Sequence, residues 1–108
     1  MKMTPDEIDR ARKQFFNDHA DHWIELWYKD QPTGRCDKHQ KDFERLFSLL
    51  PLNRGDRVLD AGCGAGVLVP YIMDRITSSG MLYELDYAEK MLEFNRVRNA
   101  RDNIRFIV

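Results

Sequence analysis

Val58-Leu59-Asp60-Ala61-Gly62-Cys63-Gly64-Ala65-Gly66-Val67-Leu68 is a short apolar run that enters a turn with glycine at every second position. Beyond it Leu68, Val69, Ile72, Met73 and Ile76 return at helical spacing, which predicts a strand, a glycine turn and a helix. Such a turn lets a ligand approach the backbone without meeting a Cβ, and the following helix N-terminus offers N–H groups with no partner of their own. The same grammar then repeats. Thr77-Ser78-Ser79-Gly80 reads as a loop, Met81 to Leu85 as a second strand ending at Asp86, and Ala88 to about Ala100 as a helix carrying Met91, Leu92, Phe94 and Val97. Ile104 to Val108 reads as a third strand. Strands alternating with helices predict a parallel sheet with right-handed crossovers.

Upstream, Thr4-Pro5-Asp6-Glu7 combines an N-cap, a proline suited to the first helical position and the acidic residue of a capping box. The helix it starts is predicted to run to about Tyr28, with Ile8, Ala11, Phe15, Phe16, Trp23, Leu26 and Trp27 as an apolar, largely aromatic stripe. Lys29 to Gly34 breaks it, and a second helix places Phe43, Leu46, Phe47 and Leu50 on one face before Pro51 and the turn Asn53-Arg54-Gly55-Asp56. The expected organisation is a helical cap over residues 1–53 and a ligand-binding βαβαβ unit over 54–108. No repeat or low-complexity segment interrupts it.

Composition narrows the function classes. The chain has 108 residues, enough for one domain, and 17 Lys+Arg against 18 Asp+Glu, a net charge of −1 that provides no basic face for nucleic acid. The longest uncharged stretch, Ala61 to Met73, falls short of the roughly 20 apolar residues of a membrane helix. The acidic Asp6-Glu7 pair stands where a secretory signal would turn apolar, and the two cysteines, Cys36 and Cys63, make no disulfide framework. A cytoplasmic, reduced setting is therefore expected. Cys36 and His39 form half of a zinc ligand set with no second pair, so no metal is assigned.

The ligand of the turn follows from charge. In dinucleotide folds a pyrophosphate meets G-x-G-x-x-G, but here the third glycine falls one residue early, at Gly66, and Val67 holds the required slot. Asp60 ends the first strand, where it would repel a phosphate and attract a cation. Asp60-Ala61-Gly62-Cys63-Gly64-Ala65-Gly66 resembles the first motif of the class I S-adenosylmethionine-dependent methyltransferases, an acidic residue followed by three glycines two apart. Asp86-Tyr87-Ala88-Glu89-Lys90-Met91-Leu92 resembles the same family's acidic residue, x, Ser, x, x, Met, Leu signature.

The resemblance implies that S-adenosylmethionine is the cofactor. It implies that Asp60 with the backbone around Gly62 and Gly64 holds the methionyl end, that Gly66 belongs to the same cofactor-binding turn, that Asp86 accepts the ribose hydroxyls, and that Tyr87 lies beside the adenine. It further implies in-line methyl transfer to an acceptor, expected to be a small molecule, with no catalytic acid or base assignable. Two departures stand out. Ala88 replaces the usual serine cap, leaving its helix amides to Asp86 or solvent, and Glu84 shares the face of Asp86, where it would compete for the ribose. Cys63 is expected to pack, and His19 and His22 to face solvent. The aromatic stripe either packs the first helix on the sheet or turns a ring toward the sulfonium.

The resemblance covers about Asp56 to Val108 well and the first fifty residues loosely. The family sheet has seven strands and three are expected here, so the chain reads as the N-terminal half of such an enzyme, inactive alone. The open edge of the first strand predicts a homo-oligomer formed through that edge or the N-terminal helices. A non-catalytic binding or assembly fragment is the alternative reading. A nicotinamide-dependent dehydrogenase fragment is third, disfavoured by Val67 and Asp60.

Overall fold

Thr4 opens helix α1 (Pro5–His19) through a complete capping box: its hydroxyl accepts from the Glu7 amide at 3.2 Å, and the Glu7 carboxylate accepts from the Thr4 amide at 2.8 Å. A computed structural model describes this element within residues 2–23 and 39–108. The expected long helix is interrupted after His19. Regular α-helix stops at His19 and tightens into a 3-10 turn over Ala20–His22, with the Ala20 amide donating to the Asn17 carbonyl. Tertiary packing accounts for the change: Ala20 is buried with Ala65, Ala88 and Met91, and Phe16 and Trp23 close over that cluster. Leu26, Trp27, Tyr28, the break after them and Cys36 lie outside the described residues.

Helix α2 (Gln40–Leu49) buries Phe47, and Phe43 packs beside it, whereas Leu46 and Leu50 are exposed. The apolar face is thus narrower than four residues. Its anchor is Tyr71, whose ring stacks on Phe47 at 5.7 Å and meets Phe43 edge-on at 5.4 Å. Burying Phe47 contributes on the order of 2 kcal/mol. Arg75 completes the joint, with its guanidinium 5.0 Å above the Phe47 ring and its Nε donating to the Phe47 carbonyl at 3.3 Å.

The remaining elements are β1 (Arg57–Ala61), α3 (Val69–Ile76), β2 (Met81–Leu85), α4 (Glu89–Asn99) and β3 (Ile104–Ile107). All three strands are parallel in the order β1-β2-β3, with Asp60 opposite Glu84 and Glu84 opposite Phe106. This is the expected α/β architecture, N-terminal helices followed by a three-stranded Rossmann-like half-sheet. Val58, Leu82, Ile104 and Phe106 point from the sheet to a core formed with Val69, Tyr71, Ile72, Met73 and Ile76. Successive right-handed crossovers in one direction put α3 and α4 on the same face. On the opposite face Leu59 is 59% and Ile107 42% exposed, and the Arg57 guanidinium donates to the Tyr83 hydroxyl at 2.7 Å. Among the described residues no helix is long and apolar enough to cross a membrane.

Candidate functional site

The ends of β1 and β2 build the glycine turn together. The amides of Gly62 and Cys63 donate to the Leu85 carbonyl at 2.8 and 3.1 Å, so the chain leaves β1 pinned to the last residue of β2. Asp86 then grips the turn from the other side. Its Oδ2 accepts from the Gly64 amide at 2.8 Å and its Oδ1 from the Ala88 amide, also at 2.8 Å. The first of the free amides before α4 is thereby satisfied despite the missing serine, and each oxygen keeps a second lone pair. A further α4 amide, that of Lys90, finds its partner in Asn17 Oδ1 of α1 at 3.1 Å. Helix α1 is held there also by the Lys13–Glu89 ion pair at 3.3 Å.

Two of the glycines do different work. Gly62 has φ +72°, and a Cβ built on it would meet nothing within 4 Å, so its backbone faces open space. Gly66 has φ +84°, and a Cβ there would collide with the side-chain amides of Asn95 and Asn99 of α4. Gly66 therefore serves the packing of turn on helix. The Asn99 Nδ2 donates to the Gly66 carbonyl at 3.3 Å and to Asn95 Oδ1 at 3.0 Å. The Asn95 Nδ2 lies 2.9 Å from Glu84 Oε1, 3.4 Å from the Gly64 carbonyl and 3.4 Å from Cys63 Sγ. Beneath the turn, buried Asn95 and half-buried Asn99 hold its carbonyls in place, and buried Glu84 anchors Asn95.

Above the turn lies a cavity of about 380 Å³, lined by Asp60, Gly62, Gly64, Asp86 and Tyr87 together with aromatic residues of the N-terminal helices. Phe16 and Trp23 supply its roof from α1 and the segment just after it, with ring centroids 5.5 Å apart, and the Phe16 ring lies 6.4 Å from Tyr87. Phe43 of α2 and Met91 of α4 complete the wall. Of the six residues that the resemblance assigns to the cofactor, five line this one space and Gly66 does not. Glu84 is also outside it, fully buried and bonded to Asn95, which removes it from competition with Asp86.

The electrostatics are acidic. Burial, and then the nearby Asp86 carboxylate, raise Asp60, while its hydrogen bond with Glu84 works the other way. Burial and the neighbouring Asp60 push Glu84 up to about 9. The same burial and carboxylates push the Cys63 thiol well above its ordinary range, so it stays a protonated packing group. The sequence reading missed Asn17, Asn95 and Asn99. One signal was available: Asn95 and Asn99 extend the helical stripe of Met91 and Leu92, where apolar residues are expected.

No family model matches the chain. It is 33% identical over 100 residues to 27-O-demethylrifamycin SV methyltransferase of Amycolatopsis mediterranei (strain S699), a match that covers 85% of this chain and 35% of the relative. Aeropyrum pernix fibrillarin, solved with natively bound S-adenosyl-L-methionine, superposes with a TM-score of 0.52 at 29% identity, covering 64% of this chain and 31% of that one. Haemonchus contortus phosphoethanolamine N-methyltransferase 1, solved with phosphoethanolamine and S-adenosylhomocysteine, shares the fold with a TM-score of 0.67 at 22% identity over 96% of this chain and 22% of that one. The chain thus spans about a third of the length of the Amycolatopsis relative. With its glycine turn, its two strand-end aspartates and its parallel half-sheet, it belongs to the class I S-adenosylmethionine-dependent methyltransferases, corresponding to part of their fold.

Proposed function

We propose that the cavity over the glycine turn binds S-adenosylmethionine and that the chain is the cofactor-binding portion of a methyltransferase acting on a small molecule. What supports this reading is that Asp60, Gly62, Gly64, Asp86 and Tyr87 line a single cavity whose floor is bare backbone at Gly62. A nucleoside with a cationic amino-acid arm suits that donor set. Asp60 provides negative charge at the turn, Gly62 and Gly64 allow close approach of the arm, Asp86 has lone pairs left for two ribose hydroxyls, and Tyr87 offers a ring face for the base. When bound, the cofactor supplies a methyl group on a positively charged sulfur. The protein's share is to orient that group and exclude water, which Phe16, Trp23 and Phe43 do by roofing the cavity. A ring held over the sulfonium would add about 1 kcal/mol. No side chain here is assigned as acid or base, and residues 1–108 alone are expected not to turn over.

A small acceptor is favoured by the relatives named for 27-O-demethylrifamycin SV and for phosphoethanolamine. To the same reading belong a division near residue 54, cytoplasmic residence, and self-association through the β1 edge or the N-terminal helices. Calorimetry with S-adenosylhomocysteine tests the cofactor site. Binding that weakens by about tenfold or more in Asp86→Ala, where hydrogen bonds to a charged group worth about 1.5–3 kcal/mol are lost, and that weakens also in the exposed-residue variant Tyr87→Ala, which removes the ring face, supports it. Unchanged affinity in both variants overturns it.

A further inference from the structure

Asp60 and Glu84 stand directly opposite one another in the parallel register of β1 and β2, on the face covered by helices. As register partners on neighbouring strands about 4.8 Å apart, they hold their side chains side by side. Glu84 is fully buried, with Oε1 accepting from Asn95. Its Oε2 and Asp60 Oδ2 are buried and receive no donor from any described residue. Two ionised carboxylates would leave two buried acceptor oxygens without a donor, an arrangement that burial and mutual repulsion both oppose. A single proton between them supplies the missing donor.

We propose that Asp60 and Glu84 act as one proton-sharing diacid beneath the glycine turn, and that Glu84 is a positioning residue setting the charge this floor presents to a cationic ligand. The inference rests on the cofactor reading above and deepens it. The titratable groups facing the pair are Asp86 at the end of β2 and the Cys63 thiol of the turn, while α4 contributes neutral Asn95 and β3 apolar Phe106. Burial and mutual proximity keep the shared proton on the pair up to about pH 9 for Glu84. A cation placed beside Asp60 favours the doubly ionised pair. Binding therefore releases the proton to solvent, and the pair goes from one negative charge to two.

The test has a ligand-free and a ligand-bound arm. Carbon-13 NMR titration of the free chain should show the Glu84 carboxyl still protonated at pH 7, and a Glu84 that titrates like an ordinary glutamate overturns the proposal whatever the ligand does. Calorimetry with S-adenosylhomocysteine, whose amino-acid arm carries an ammonium, is then run in two buffers of different ionisation enthalpy. Proton release at pH 7 and about tenfold tighter binding at pH 8.5 are expected. Glu84→Gln, which can still accept from Asn95 and donate to Asp60, should release no proton and keep the low-pH affinity across the range. A flat wild-type profile, or the same release in Glu84→Gln, overturns the coupling. Absence of binding in both proteins overturns the coupling together with the cofactor reading, while the NMR arm still decides the shared proton by itself.

Discussion

Replacing Gly66 by alanine separates two kinds of glycine in one turn. At Gly66 the new Cβ would stand 2.5 Å from Asn95 Cγ and 2.5 Å from Asn99 Nδ2, on a backbone with φ +84°. The left-handed conformation costs a non-glycine residue roughly 1–2 kcal/mol. Overpacking against side chains that are themselves bonded to Glu84 and to the turn adds roughly 1–3 kcal/mol. Together, about 2–5 kcal/mol is lost from a domain whose whole stability is on the order of 5–15 kcal/mol. Urea denaturation followed by circular dichroism reads this as a fall in midpoint at constant slope. Gly62→Ala is the comparison: its φ is +72° but a Cβ has open space, so only the conformational cost of roughly 1–2 kcal/mol applies, and the loss should fall on ligand affinity. In an Asn95→Ala background the Gly66→Ala penalty should shrink, leaving the conformational cost and the contact with Asn99. A Gly66→Ala loss below about 1 kcal/mol, or an equal loss with and without Asn95, would refute the packing role of Gly66.

Asn17→Ala removes the side chain that caps the Lys90 amide across the α1–α4 contact, and denaturation should report a loss of about 1 kcal/mol. A loss confined to a few tenths would mean that water replaces the cap. Stability should also fall as the solution becomes alkaline. Glu84 ionises near 4.5 when unfolded but keeps its proton up to about 9 when folded, so the folded state binds more protons between those values. Its contribution is fully present below pH 4.5 and lost as pH rises through 9. The slope is at most about 1.4 kcal/mol per pH unit, and thermal unfolding of Glu84→Gln against wild type should show that slope removed.

Much of this site is local in sequence, and that part was legible. The turn glycines, Asp60 and Asp86 are identified by spacing because strand end, turn and helix start are consecutive in the chain. What depends on distant partners was not. Gly66 looks like a ligand-contacting glycine until Asn95 and Asn99 are seen beneath it, 29 and 33 residues away. Strand alternation correctly put Glu84 on the face of Asp86, but only the fold shows that Asn95 and Asp60 enclose it away from the cavity. The periodicity of α1 continues past His19, and the turn to 3-10 geometry there answers to the seat that Ala20 and Trp23 take on Met91 and Ala88. Leu46 and Leu50 share a helical stripe with Phe43 and Phe47, yet the core offers Tyr71 only to the two phenylalanines.

Amide NMR of residues 1–108 titrated with S-adenosylhomocysteine tests the cofactor site most directly. Saturable shifts should concentrate at Gly62, Cys63, Gly64, Asp86 and Tyr87 and at the indole of Trp23, and the dinucleotide NAD should not reproduce them. Shifts confined to the separate cavity around Thr77, Arg101 and Asn103, or none at saturating ligand, would contradict the assignment.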